Sequence, residues 1–253
     1  MRALVLAAGV GTRLRRYTDD RPKPMLEILG EPILGYNLAM LAAAGFDEVV
    51  INLHYLPGVV RAYAGDGSRW GLRVSYSEEP ELRGTAGALM PVAERFARET
   101  FAIVFGDNVA EIDVSDMLAQ HRAHGALATI AVWSREDVEN SGVAELDADD
   151  RVVRFVEKPK SGETASHWVN AGIVIAEPAL IDAVPRDRPS DLGRDVFPAL
   201  LGGTRSVYGY RMSGGLWWFD RIEDYETALT DPKLEAFARR STSRRAVPDS
   251  SSR

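Results

Sequence analysis

The 253-residue chain contains no cysteine, which excludes disulfides and thiolate-held metal sites. It has only four histidines, His54, His121, His124 and His167. None falls in a metal-ligand spacing, and none forms a serine–histidine nucleophile motif. No apolar run approaches the length that spans a bilayer, and no signal-peptide pattern precedes the first strand-like residues, so a cytoplasmic location and no membrane partner are expected. A net charge of -7 argues against a nucleic-acid groove on global electrostatics. Arg13, Arg21 and Lys23 nevertheless lie close enough in sequence to supply a local basic pocket. Internal repeats are absent, and with them any appended helix of hexapeptide repeats, so acetyl transfer is not expected. The remaining composition is that of an ordinary globular protein, long enough to bury one large core or two small ones.

What is present is concentrated at the start. Leu4, Val5 and Leu6 form a short apolar run of the kind buried on both faces of a sheet. The run breaks into Ala7, Ala8, Gly9, Val10, Gly11, Thr12 and Arg13, where small residues let the backbone approach a ligand and point N–H groups at phosphate oxygens. Arg13 adds a planar cationic fork. Lys23, held between Pro22 and Pro24, adds a second cation on a stiffened segment. A strand, a bare backbone loop and two cations describe a polyphosphate site. The dinucleotide fingerprint is excluded because its third glycine is missing, and the Walker pattern because Gly-Lys-Ser/Thr is missing.

Further along, the periodicity predicts a helix over 33–44 stopped by Gly45, a strand over 49–53, a short helix over 59–63, a strand over 72–76, a helix over 86–97 broken or bounded at Pro91, and a strand over 101–105. This alternation predicts an α/β fold with a largely parallel sheet. Ligands in such sheets bind at the carboxyl ends of the strands, where both the Gly9 loop and Asp107 would lie. The second half reads as closely spaced strands over 127–133, 143–146, 152–156, 173–175 and 207–212, with helices over 179–184 and 196–201. We therefore expect one domain over 1–232, with a half over about 1–125 that carries the polyphosphate loop and a more antiparallel half over about 126–232. Residues 233–253 read as a polar, solvated tail.

Asp107 follows a buried strand behind Gly106, which suits a hard cation such as magnesium, although Gly-Asp-Asn is also an ordinary turn. The order of the run at 6–14 followed by Pro-Lys-Pro-Met-Leu at 22–26 resembles the signature of the sugar-1-phosphate nucleotidyltransferases, and nearest the mannose- or heptose-type guanylyltransferases. That resemblance implies a Rossmann-like, mainly parallel sheet flanked by helices, with about 1–125 as the nucleotide-binding half, about 126–232 as the sugar-binding half, and Asp107 as a magnesium ligand. It implies that Ala7, Ala8, Gly9, Gly11, Thr12 and Arg13 surround the triphosphate and that Arg13 and Lys23 polarise it. Residues 78–89 resemble the family's base-reading loop, with Gly84, Thr85 and Glu79 against the base. A carboxylate only accepts hydrogen bonds, and guanine offers two donors on its pairing edge, so Glu79 favours GTP, with cytosine's amine as the other fit. Glu78, Glu79 and Glu81 also read as a merely solvated acidic run.

Val-Glu-Lys-Pro at 156–159 and Val-Asn-Ala-Gly-Ile at 169–173 match two more family motifs. They imply Lys158 on the phosphate of the sugar 1-phosphate, Glu157 and Asn170 on the sugar, and Gly142 meeting it through the backbone. The run 217–225 resembles the family ending that carries a second metal aspartate, here Asp220. Its turn is about two residues short, and if the gap falls differently Asp220 is only a helix N-cap. Trp217 and Trp218 read either as sugar-side walls or as core. Asp195 reads as a sugar contact or a first-turn acidic residue, and His54 as structural. The implied activity is transfer of a nucleoside monophosphate to a sugar 1-phosphate with magnesium as cofactor, with a homodimer left open. Two rivals stand beside it: a cytidylyltransferase acting on a non-sugar phosphate such as phosphocholine, and a silent nucleotide-sugar-binding regulatory subunit.

Overall fold

The computed structural model describes residues 1–201, 203 and 206–243. Its strands are β1 (Arg2–Leu6), β2 (Glu27–Ile28), β3 (Glu31–Pro32), β4 (Glu48–Leu53), β5 (Arg73–Glu78), β6 (Phe101–Phe105), β7 (Asn108–Ala110), β8 (Ala128–Ser134), β9 (Gly142–Leu146), β10 (Val152–Glu157), β11 (Trp168–Ala176), β12 (Val207–Arg211) and β13 (Leu216–Trp218). Strands β6, β1, β4 and β5 lie side by side in that order, all parallel. Strand β11 joins β6 antiparallel, β8 joins β11 antiparallel, and β12 joins β8 in parallel. The β9–β10 hairpin attaches to the first residues of β11. The fold is thus mixed α/β, with a largely parallel central sheet flanked by helices. The segments before and after residue 125 share that one sheet.

Alternation along the strands builds two apolar layers. Ala3, Val5, Val49 and Ile51 face one core beneath the helix Ile33–Ala43. Leu4, Val50 and Ile103 face the other, which also holds Phe96, Leu180 and Phe197. A third cluster gathers Leu14, Ile28, Tyr36, Trp217, Phe219 and Leu234 at one end.

Several elements depart from the periodicity. Residues 86–97 form no continuous helix. The turn Gly84–Gly87 binds Ser190 O through the Ala86 and Gly87 N–H groups, and Pro91 lies in a 3-10 turn, Met90–Val92, ahead of the short helix Ala93–Phe96. The helix expected over 179–184 is a 3-10 turn, Pro178–Ala183. Phe197–Leu200 is preceded by a π-helical turn, Leu192–Val196. Strand β11 begins at Trp168, well before residue 173, and a register shift between Asn170 and Val174 interrupts its pairing with β8. The largest correction is at the end: residues 233–243 are no solvated tail. Pro232–Ser243 is a helix whose Leu234 and Ala238 are buried and whose Phe237 stacks on Trp217. Its few apolar residues fall on one face, a helical spacing that a polar composition hides. Residues 244–253, the rest of that expected tail, lie outside the described residues.

Candidate functional site

The parallel register sets the loops of the first half side by side. Leu6 lies between Asn52 and Phe105, and Asn52 lies beside Ser77, so the segments leaving β1, β4, β5 and β6 emerge along one edge. The β9–β10 hairpin, where Glu157 pairs with Gly142, completes the rim. Between them is a cavity of about 500 Å³, the size of an ordinary small-molecule site. Its walls include Ala8, Gly9, Arg13, Lys23, Glu79, Gly84, Thr85, Asp107, Gly142, Glu157, Lys158, Asn170 and Asp220.

Lys23 is 7% exposed, and its Nζ donates to Asp107 Oδ2 and Asp220 Oδ1, at 2.8 Å each. The carboxylates come together because β7 and β13 pair antiparallel with Asn108 opposite Trp218. The residue before one strand then meets the residues after the other. Arg13 Nη2 stands 3.9 Å from Asp220 Oδ1 on the open side. Burial alone would push the Lys23 ammonium down, but the two carboxylates outweigh it and hold it above the ordinary lysine value. Burial likewise pushes the Asp220 carboxyl up, and Lys23, with Arg13 and Lys158 behind it, more than offsets this and leaves it lowered. Asp220 is not the helix cap: Arg221 occupies that position, and its N–H donates to Asp224 at 3.0 Å.

On the opposite wall Glu79 is only 3% exposed, so the solvated-run reading fails for it while Glu78 and Glu81 remain exposed. Its Oε1 accepts from Asn52 Nδ2 at 2.9 Å, and its Oε2 from Arg83 N at 3.0 Å. His54 Nδ1 meets the Glu79 carbonyl at 2.8 Å, a structural role. Gly84 follows with φ +78, and a Cβ there would collide with the Ser190 carbonyl oxygen. Thr85 Oγ1 donates to Asp191 Oδ1 at 3.2 Å and accepts from Leu192 N at 2.9 Å.

On the third side, a Cβ at Gly142 would sit 2.7 Å from Glu157 Oε2, so glycine lets the hairpin close over that carboxylate. Burial holds the Glu157 carboxyl above the usual range, against the pull of Lys158 and Arg194. Lys158 is exposed and adopts φ +54, a left-handed conformation costly for a non-glycine residue, anchored by its N–H on Ser141 O at 3.0 Å. Asn170 Oδ1 accepts from Gly172 N at 2.9 Å, across the start of the β11 irregularity. Trp218 lines the cavity beneath the Arg135 guanidinium, whereas Trp217 is core and donates its Nε1 to Asp231 at 2.7 Å.

Some expected residues stand elsewhere. Ala7, Gly11 and Thr12 are not among the described residues that wall the cavity. The Ala7 N–H is taken by Asn52 Oδ1 at 2.6 Å, and Gly11 O accepts from Leu14 N and Thr18 Oγ1. Arg21 is no part of the pocket and pairs with Asp20 and Glu27. Asp195 binds Arg188 and the Asp191 N–H. Conversely Asn52, Asp191 and Arg194 line the cavity without having been singled out from sequence. A polar residue inside the apolar run 49–53 was the signal for Asn52; Asp191 and Arg194 carried none. Among the described residues no cluster of three or more acidic, histidine or cysteine side chains forms a metal cage, and no helix is long and apolar enough to cross a membrane.

The chain is 35% identical over 244 residues to a UTP–glucose-1-phosphate uridylyltransferase of Synechocystis, covering 90% of this chain and 62% of that protein. It is 38% identical over 209 residues to a mannose-1-phosphate guanylyltransferase of Mycobacterium tuberculosis, covering 82% and 58% respectively. The chain thus spans about three fifths of the length of these curated relatives. The solved structure of HddC from Yersinia pseudotuberculosis shares the fold, with a TM-score of 0.75 at 24% identity over 93% of this chain and 99% of that one. A single family model, described as nucleotidyl transferase, matches residues 2–228. That span runs from the first strand to the helix after Asp220 and takes in every loop that walls the cavity, so the chain belongs to the nucleotidyl transferase family.

Proposed function

We propose that this chain transfers a nucleoside monophosphate from a nucleoside triphosphate to a sugar 1-phosphate, giving a nucleotide-sugar and pyrophosphate. The observation that carries the reading is the meeting, in one cavity, of Arg13, Lys23, Asp107, Lys158 and Asp220 from separate segments of the chain. Asp107 and Asp220 supply hard carboxylate oxygens that converge on one cation, the Lys23 ammonium, 2.8 Å from each. That donor set fits magnesium, which takes one or two carboxylates and fills its octahedron with phosphate oxygens and water. When bound, the ion would neutralise charge at the α-phosphate. Arg13 and Lys23 then hold and polarise the triphosphate, while Lys158 aims the sugar phosphate. The attacking phosphate oxygen is already anionic. It bonds to the α-phosphorus as the α–β bridge breaks and pyrophosphate leaves, so no general base is required. Catalysis is positioning and electrostatics.

For the base we favour guanine, and for the sugar a mannose or heptose type. Glu79 presents an acceptor-only side chain at the cavity wall, which complements guanine's two donors and opposes the carbonyls of uracil and thymine. The name of the Mycobacterium tuberculosis relative agrees with this reading. The Synechocystis relative, named for UTP and glucose 1-phosphate, favours the rival one. Pyrophosphate release with magnesium, measured for GTP, UTP, dTTP, CTP and ATP against hexose and heptose 1-phosphates, tests both. GTP as the winner supports the Glu79 argument; UTP or dTTP overturns it. Binding of nucleotide-sugar with no release from any pair marks a silent regulatory subunit instead.

A further inference from the structure

Asn52 lines the cavity and bonds to two of the segments that build it. It lies at the carboxyl end of β4, between Leu6 of β1 and Ser77 of β5, and is 3% exposed. Its Oδ1 accepts from the Ala7 N–H at 2.6 Å, at the mouth of the phosphate loop. Its Nδ2 donates to Glu79 Oε1 at 2.9 Å, at the base wall. The amide's orientation is forced: a backbone N–H only donates and a carboxylate only accepts, so the reverse orientation breaks both bonds. With Arg83 N on Oε2, the Glu79 carboxylate is held at both oxygens, and each oxygen keeps a further lone pair for a ligand.

Resting on the guanine reading above, we propose that Asn52 is a positioning residue for base selection. It orients Glu79 toward the base and ties that orientation to the phosphate loop at Ala7. The polarity of the pair is complementary and exchangeable. An aspartate at 52 keeps the bond to Ala7 N but sets like charges about 2.9 Å apart across the Glu79 contact. A glutamine at 79 opposite that aspartate restores a donor to the gap, with its carbonyl left for Arg83 N, and offers the base an N–H instead of a lone pair.

The test compares wild type, Asn52→Asp, Asn52→Ala and the double variant Asn52→Asp/Glu79→Gln in kcat/KM for each nucleotide, KM for the sugar 1-phosphate, and thermal midpoint. Asn52→Asp is expected to cut the GTP-over-UTP ratio by roughly tenfold and lower the midpoint, leaving the sugar-phosphate KM within about twofold. Adding Glu79→Gln is expected to restore the midpoint and turn the residual preference toward UTP. Should Asn52→Asp fail to fold, Asn52→Ala removes both bonds without adding a charge and gives the same ratio. Equal losses with every nucleotide, ratios unchanged, would make Asn52 merely structural and overturn the proposal. The wild-type profile separates the two ideas. A wild type that prefers another base refutes the guanine reading, while the variants still show whether selection of the preferred base passes through Asn52.

Discussion

Replacing Lys23 with methionine removes the charge that holds Asp107 and Asp220 together and keeps most of the apolar stem. The Lys23 side chain is 9% exposed, against 39% for Asp107 and 35% for Asp220. Breaking a fully buried pair costs about 3–5 kcal/mol. Because both carboxylates here reach water, solvent screening lowers the expected loss to about 1–3 kcal/mol. The two carboxylates then keep only the exposed Arg13, 3.9 Å from Asp220, so a divalent cation meets a stronger site than in wild type, where it competes with the ammonium. A tenfold gain in affinity corresponds to about 1.4 kcal/mol of added stabilisation under excess metal. Urea unfolding of wild type and Lys23→Met, with and without Mn²⁺ and with no nucleotide, measures both effects, and Mn²⁺ electron paramagnetic resonance counts bound metal directly. The variant is expected to be less stable without metal and to gain more from it than wild type does. Equal stability without metal, or an equal gain in both proteins, would refute the reasoning. Turnover is expected to fall about 10²–10³-fold in the same variant, as it does when a preorganised electrostatic contact to the transition state is lost.

Gly84→Ala is expected to lose about 2 kcal/mol or more in urea unfolding, because φ +78 is unfavourable for alanine and the added methyl meets the Ser190 carbonyl; a neutral result would contradict the close packing of 84–87 on 190. Asp220→Asn is expected to raise the magnesium concentration needed for half-maximal pyrophosphate release and, by taking one of two carboxylates from the buried Lys23 ammonium, to cost about 1 kcal/mol in urea unfolding; an unchanged magnesium titration would contradict the metal role. Phe219→Ala, at a fully buried ring in the third cluster, is expected to cost about 3–5 kcal/mol. The Asp231 carboxyl is held below the usual range by the Trp217 indole N–H and then by the Lys233 and Leu234 N–H groups. Its contribution is therefore complete above the ordinary aspartate value and is lost as pH falls through the lowered one. The protection factors of the Lys233 and Leu234 amides, taken against intrinsic exchange at each pH, are expected to fall over that acidic window and to stay constant at neutral pH.

Apolar runs bounded by glycine and proline made the first-half strands legible, since residues buried on both faces of a parallel sheet are nearly all apolar. Arg13, Lys23 and Asp107 stood out by residue type and position as suited to phosphate and a hard cation, whereas Glu79, Glu157 and Lys158 stood out only through the resemblance; the structure places all six on the walls of one cavity. The terminal helix was not legible, because its few apolar residues are outnumbered by charged ones and gain meaning only against Tyr36 and Trp217. Nor were the functions of single backbone groups. The Ala7 N–H looked free to meet phosphate, and it belongs to Asn52, 45 positions away in sequence.

By itself, then, the sequence determined the alternation of strands and helices, the chemical inventory of the loops and their order along the chain, all of which are local properties. Tertiary structure alone decided which members of that inventory meet. The pairing of β7 with β13 brings Asp220 to Asp107 and resolves its role as a cap in favour of Arg221. The packing of 190–194 against 84–87 and Glu157 adds Asp191 and Arg194 to the cavity. Such contacts join residues far apart in sequence, and their geometry follows from strand register and packing across the whole sheet, which no local pattern encodes.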